Sequence, residues 1–112
     1  VNTLQKIVGT KISLTRGDTL KVKVSMVKPN GSEYIPDGSD SIRFAMKKHY
    51  EDTSVLIEKT IPNDTRLLWL EPSDTKPLEF GTYVYDIQLT HSDGDVDTFI
   101  DRAIFELTEE VI

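Results

Sequence analysis

The sequence predicts an all-β chain, and three observations carry that prediction. Alternating apolar and polar residues recur in short runs, as with Leu20, Val22, Val24 and Met26 against Lys21, Lys23 and Ser25. Turn formers separate the runs about every ten residues: Pro29-Asn30-Gly31-Ser32, Pro36-Asp37-Gly38-Ser39, Pro62-Asn63-Asp64-Thr65 and Ser92-Asp93-Gly94-Asp95. No helical apolar period of about ten residues breaks in, which argues against an α/β layout.

The longest clean alternation spans Leu78 to Leu89. Tyr83, Tyr85, Ile87 and Leu89 fall on one strand face, and Val84, Asp86, Gln88 and Thr90 on the other. Its lead-in, from Ser73 to Gly81, is rich in turn formers, and Gly81 tolerates backbone angles that a β-carbon forbids. Tyr83, two residues on, is placed to bury its ring and return its hydroxyl to the loop backbone. Immunoglobulin-like sandwiches use a tyrosine corner in this way at the start of a central strand. Antibody domains follow that tyrosine with a cysteine two residues later; here Tyr85 stands there, so a ring must fill the disulfide's space. The expectation is an Ig-like antiparallel β-sandwich of about seven to nine strands, with Gly81, Tyr83 and Tyr85 as its structural corner. Residues 1–112 make one domain of ordinary size.

In chain order, Ile7-Val8 and Lys11 to Leu14 read as short strands around a bend at Gly9. Arg16-Gly17-Asp18 turns into a strand from Thr19 to Val27, which Asn30-Gly31 closes as a hairpin. Glu33-Tyr34-Ile35 is a short extended piece. Ser41 to Lys47 alternates with Ile42, Phe44 and Met46 inward, and Lys48 to Ser54 reads as loop. Val55 to Ile61 and Leu67 to Leu70 are strands, the latter ended by Pro72. After the corner strand, Asp93-Gly94 makes a hairpin into Val96 to Asp101, with Val96, Thr98 and Ile100 on one side. A separate last strand, Ala103 to Thr108, points Phe105 and Leu107 inward, and Glu109-Glu110 reads as an exposed exit.

Composition narrows the function classes. A chain of 112 residues has room for one core without staples, and there is no cysteine, so disulfides and thiolate metal sites are excluded. The net charge of −6 disfavours nucleic-acid binding, because an acidic surface repels phosphate. Apolar runs are far shorter than the roughly 20 residues a membrane helix needs; no signal-peptide pattern is expected at the start, although Val1 could follow a removed segment. We expect no cofactor.

The motifs that suggest chemistry fail on spacing. Asp93, Asp95, Asp97 and Asp101 resemble a calcium loop, but counting from Asp93 puts Gly94 and Ile104 at the wrong places. Arg16-Gly17-Asp18 is an adhesion tripeptide that a turn between strands also requires. His49 and His91 are the only histidines, and neither has a second at ligand spacing. Glu71 and Asp86 form a conceivable glycosidase pair, but two carboxylates among 19 acids carry no information. Trp69 and Phe80 flank the corner loop and are expected to pack in the core and the corner; the competing reading is a sugar-stacking platform. On a glycan-binding reading, Trp69, Tyr34 and Tyr50 are the stacking candidates. No catalytic residue is assigned, and the chain is expected not to be an enzyme.

The order of signals resembles a known family. Arg16-Gly17-Asp18-Thr19 leads into an alternating strand, Asp74-Thr75 precedes Leu78, and Gly81-Thr82-Tyr83-Val84-Tyr85-Asp86 follows. This pattern, from about Lys11 to Leu107, is similar to small β-sandwich domains of phage and prophage tail and baseplate regions in Gram-positive bacteria. It resembles the N-terminal domain type of baseplate upper proteins. The resemblance implies a virion structural role with assembly contacts to other tail or baseplate proteins, self-association as an open possibility, and no family active site. It places the protein in the virion, or in the bacterial cytoplasm when expressed from a prophage.

Overall fold

The computed structural model describes residues 7–8 and 10–109. Among them lie eight strands and a one-turn helix: β1 (Ile7–Val8), β2 (Ile12–Thr15), β3 (Leu20–Lys23), β4 (Ser41–Lys47), β5 (Ile57–Ile61), β6 (Leu67–Leu70), α1 (Pro72–Thr75), β7 (Gly81–Thr90) and β8 (Val96–Thr108). The expected bend at Gly9 and the Glu110 half of the charged exit lie outside the described residues.

A large sheet runs β5-β4-β7-β8 with antiparallel neighbours, and β1 and β2 both line the remaining side of β8. These two pair in parallel, with Ile7 opposite Ile100 and Ile12 opposite Phe105. The large sheet is therefore mixed, which corrects the purely antiparallel expectation. Parallel neighbours need a long crossover; here everything between β2 and β8 supplies it, a relation that local alternation does not encode. A second, two-stranded sheet pairs β3 with β6, Lys21 opposite Trp69 and Lys23 opposite Leu67.

Alternation explains which side chains are buried. Ile42, Phe44 and Met46 of β4 and Tyr83, Tyr85, Ile87 and Leu89 of β7 all enter one core with Leu68 and Leu70 of β6. Val24 and Met26, which follow β3, join them, and a bridge between Val27 and Glu33 closes the hairpin there. Phe44, Tyr85 and Phe105 form its aromatic centre, with ring centroids 5.4 to 6.5 Å apart. Tyr85 fills the middle of this cluster, and its hydroxyl donates to the Thr10 carbonyl at 2.8 Å. Tilted and edge-on pairs of this kind contribute about 0.5–1.5 kcal/mol each beyond their burial.

Two elements differ in kind from the sequence reading, and two in length: β3 stops at Lys23 instead of Val27, and β5 starts at Ile57 instead of Val55. Val96 to Thr108 is one strand, not two, and its inward set is not Val96, Thr98 and Ile100. Asp97, Phe99 and Ile100 are buried, then Ala103, Phe105 and Leu107, while Val96 is 55% exposed. The register against β7 shifts twice, between Tyr85 and Ile87 and between Ile87 and Gln88. At the first shift Arg102 takes φ 54, and its N–H donates to Asp86 Oδ1 at 3.0 Å. An extra residue on one strand flips the parity of everything after it. The second difference is α1, which replaces an expected turn. Glu71 N–H donates to Asp74 Oδ2 at 2.8 Å in a capping box, and Pro72 opens the helix where its missing N–H costs nothing.

Candidate functional site

Two regions collect the residues that the sequence singles out. The first is the corner. Gly81 holds φ 151, and a β-carbon there would lie 3.2 Å from Lys48 Nζ. Tyr83 is buried, and its hydroxyl donates to the Glu79 carbonyl four residues upstream. The turn before β3 docks on the same lead-in. Gly17 N–H donates to Thr75 Oγ1 at 2.9 Å, and Arg16 Nη1 donates to the Leu78 carbonyl at 3.1 Å. Thr75 is fully buried, so its hydroxyl serves the interior of the protein. Arg16 and Gly17 thus hold the corner in place, and the Arg-Gly-Asp tripeptide is built into the fold through its first two residues.

The second region is the outer face of the two-stranded sheet. Leu68 and Leu70 point inward, so Leu67 and Trp69 point out. Trp69 is 49% exposed, which corrects the expectation that it packs in the core. Phe80, 52% exposed, likewise leaves the corner unfilled. In Leu67-Leu68-Trp69-Leu70 both faces are apolar, so alternation alone cannot choose the buried one. Lys21, opposite Trp69, lays its Nζ 4.0 Å from the ring centroid. Beside Trp69 runs an open cleft of about 460 Å³ lined by Lys59, Thr60, Pro62, Thr65, Leu67 and Glu71. Lys59 pairs there with Asp74 at 3.0 Å.

The remaining aromatics are elsewhere. Tyr34 is half-buried; its hydroxyl donates to the buried Asp40 carboxylate at 2.7 Å, and its ring meets His91 edge-on. Desolvation, then the Asp40 carboxylate, pushes the Tyr34 phenol up to about 12. Asn63 ties this knot by donating to the carbonyls of Asp37 and Asp40. Tyr50 is exposed on the outer side of the large sheet, with the Arg102 guanidinium 5.9 Å from its ring. The chain does not bring Trp69, Tyr34 and Tyr50 into a single platform.

A pair of hollows marks the outer face of the large sheet, where the small Ala45 lies opposite Asp86. One is lined by Tyr50 and Val84, the other by Arg43, Val55 and Gln88, and both share Ala45, Lys47 and Asp86. Partial burial raises the Asp86 pKa above the ordinary carboxylate value, opposed by the Arg102 N–H. Glu71 lines the cleft beside Trp69 and Asp86 these hollows, so the two acids line different depressions. Among the described residues, no three His, Cys, Asp or Glu side chains group as metal ligands. Lys21 and Lys23 are the residues that sequence reasoning passed over. The signal was present: between Thr19 and Met26 the outward positions hold only lysine and serine. No protein-family model matches the chain, and no curated protein sequence does.

Proposed function

We propose that this chain is a non-enzymatic structural module of a phage or prophage particle, docking on other tail or baseplate proteins. The observation that carries the reading is that the first two motifs of the resemblance, far apart in sequence, touch, and the third follows directly on the second. Arg16-Gly17 binds Thr75 and the Leu78 carbonyl, and Tyr83 binds the Glu79 carbonyl just beyond them. Chance matches scattered along a chain have no reason to touch; motifs that build one corner do. An Ig-like sandwich is part of the same proposal. It is supported by the order β8-β7-β4-β5 facing β3-β6, by the corner tyrosine at the start of β7, and by Tyr85 at the disulfide position. The exposed faces and strand edges supply the docking surface. Mass spectrometry of purified particles induced from the host strain tests the reading. The protein should be present at a fixed ratio to the tail proteins, and its absence from intact particles would refute it.

One observation favours a second reading, a carbohydrate-binding module of a bacterial surface protein. The half-exposed Trp69 borders a cleft carrying two threonine hydroxyls, a carboxylate and an ammonium. Aromatic rings beside a few polar groups suit sugar rings, whose C–H faces are apolar and whose edges are hydroxylated. A glycan array that lights up, and dims with Trp69→Ala while the fold persists, supports it.

A further inference from the structure

We infer that the outer face of the β3–β6 sheet binds an anionic glycan, with Trp69 as the stacking surface and Lys21 and Lys23 as the pair that recognises sugar carboxylates. The inference rests on the glycan reading above and adds the charge class of the ligand.

Charge carries it. The chain is strongly acidic, at −6, yet this face holds two lysines and no acid on either strand. The residues opposite Lys21 and Lys23 are Trp69 and Leu67. Elsewhere several cations are engaged: Arg43 with Glu58, Lys59 with Asp74, Arg66 with Glu33, Lys11 with Glu106. Among the described residues neither Lys21 nor Lys23 forms an ion pair. Alternate residues of a strand stand about 6.6 Å apart, so the two ammonium groups reach successive groups of an extended ligand.

The aromatic ring adds the sugar class. Lys21 lies over the indole, 4.0 Å from its centroid. An exposed cation–π contact is weak, so an arriving carboxylate draws the ammonium off and opens the ring face to a sugar. The neighbouring cleft, with Thr60, Thr65 and Glu71, offers partners for hydroxyls. An acidic peptide satisfies the lysines but leaves those cleft groups unused. A neutral sugar uses the ring and leaves the lysines idle.

Trp69 is the only tryptophan, so its fluorescence reports on this face alone. The test titrates the full chain with tetragalacturonate, cellotetraose and a short polyglutamate peptide. Tetragalacturonate should give a saturable change that weakens about tenfold between roughly 50 and 500 mM NaCl. Lys21→Gln with Lys23→Gln should weaken it by about tenfold or more at low salt, with an unchanged circular dichroism spectrum and melting temperature. Equal binding of cellotetraose overturns the anionic selection and leaves the glycan reading standing. No response to either sugar overturns both. Tighter binding of polyglutamate overturns the inference in favour of an acidic protein partner.

Discussion

The corner and the outer face of the two-stranded sheet are built from similar side chains put to opposite uses. At the corner, Arg16, Thr75 and Tyr83 spend their polar groups on the chain's own backbone. On the sheet face, Lys21 and Trp69 meet only across the strand pair, and Lys23 faces a leucine. A cation or aromatic whose groups are met internally is accounted for by folding. One left at the surface with no internal task is where an outside partner gains most. The contrast separates residues that the fold needs from residues that it merely displays.

The largest expected effect breaks the first half of this contrast. Tyr83→Ala should cost about 3–5 kcal/mol in urea unfolding, since it empties a buried ring position. Tyr83→Phe isolates the hydroxyl and should cost about 1–3 kcal/mol, because the Glu79 carbonyl then loses its partner. A phenylalanine variant as stable as the parent would mean that the corner is held by packing alone. Thr75→Val, nearly isosteric, strands the Gly17 N–H and should cost about 1–2 kcal/mol. Gly81→Ala should fall in a similar range, about 1–3 kcal/mol, because φ 151 is strained for any β-carbon. Removing the Lys48 amine with Lys48→Met should recover little of that loss if backbone strain dominates; full recovery would assign the cost to the steric contact instead.

The outer face of the large sheet lies between the two extremes, and pH tests it. Burial raises the Asp86 pKa, so the unfolded chain ionises this group first as pH rises. The ionised carboxylate therefore disfavours the fold above the folded-state pKa, and the penalty fades as pH falls toward the ordinary carboxylate value. Asp86→Asn removes the charge and keeps an oxygen for the Arg102 N–H. Its unfolding free energy should equal or slightly exceed the parent's at pH 7, by less than about 1 kcal/mol. That difference should shrink toward pH 4. A variant destabilised at both pH values would show that the charge itself anchors the bulge.

How far the sequence speaks depends on whether the deciding contact is local. β4 and β6 have the bounds that alternation assigns, and the inward face of β7 is legible because its register against β4 is unbroken. The helix at Pro72 was missed, because Pro72 also ends a strand and a single capped turn carries no apolar period. The first bulge in β8 was not legible, because it depends on Asp86 reaching the Arg102 N–H from another strand. Nor was the parallel docking of β2 on β8, which joins opposite ends of the chain. Of the candidate aromatics, Tyr34 and Tyr50 read as equivalent to Trp69 in sequence. Only tertiary structure places Tyr34 on a buried carboxylate, Tyr50 beside the outer face of the other sheet and Trp69 opposite Lys21.

The smallest expected effect sharpens the second half of the contrast. Trp69→Ala removes the largest side chain available and would ordinarily rank among the most disruptive changes to a small β protein. Here nearly half of the ring already faces water, so the burial lost is partial. The contact with Lys21 is an exposed cation–π pair, contributing about 0.5–1 kcal/mol. The loss should therefore stay near 1 kcal/mol, well under that of Tyr83→Ala, although indole exceeds phenol in size. Paired urea melts of the two variants decide the matter. If Trp69→Ala unfolds the chain as readily as Tyr83→Ala, the indole is a pillar of the two-stranded sheet, and its exposure no longer argues for a ligand. If it does not, this face carries a large aromatic that folding does not require, and recognition of a partner is the physical reason left for keeping it there.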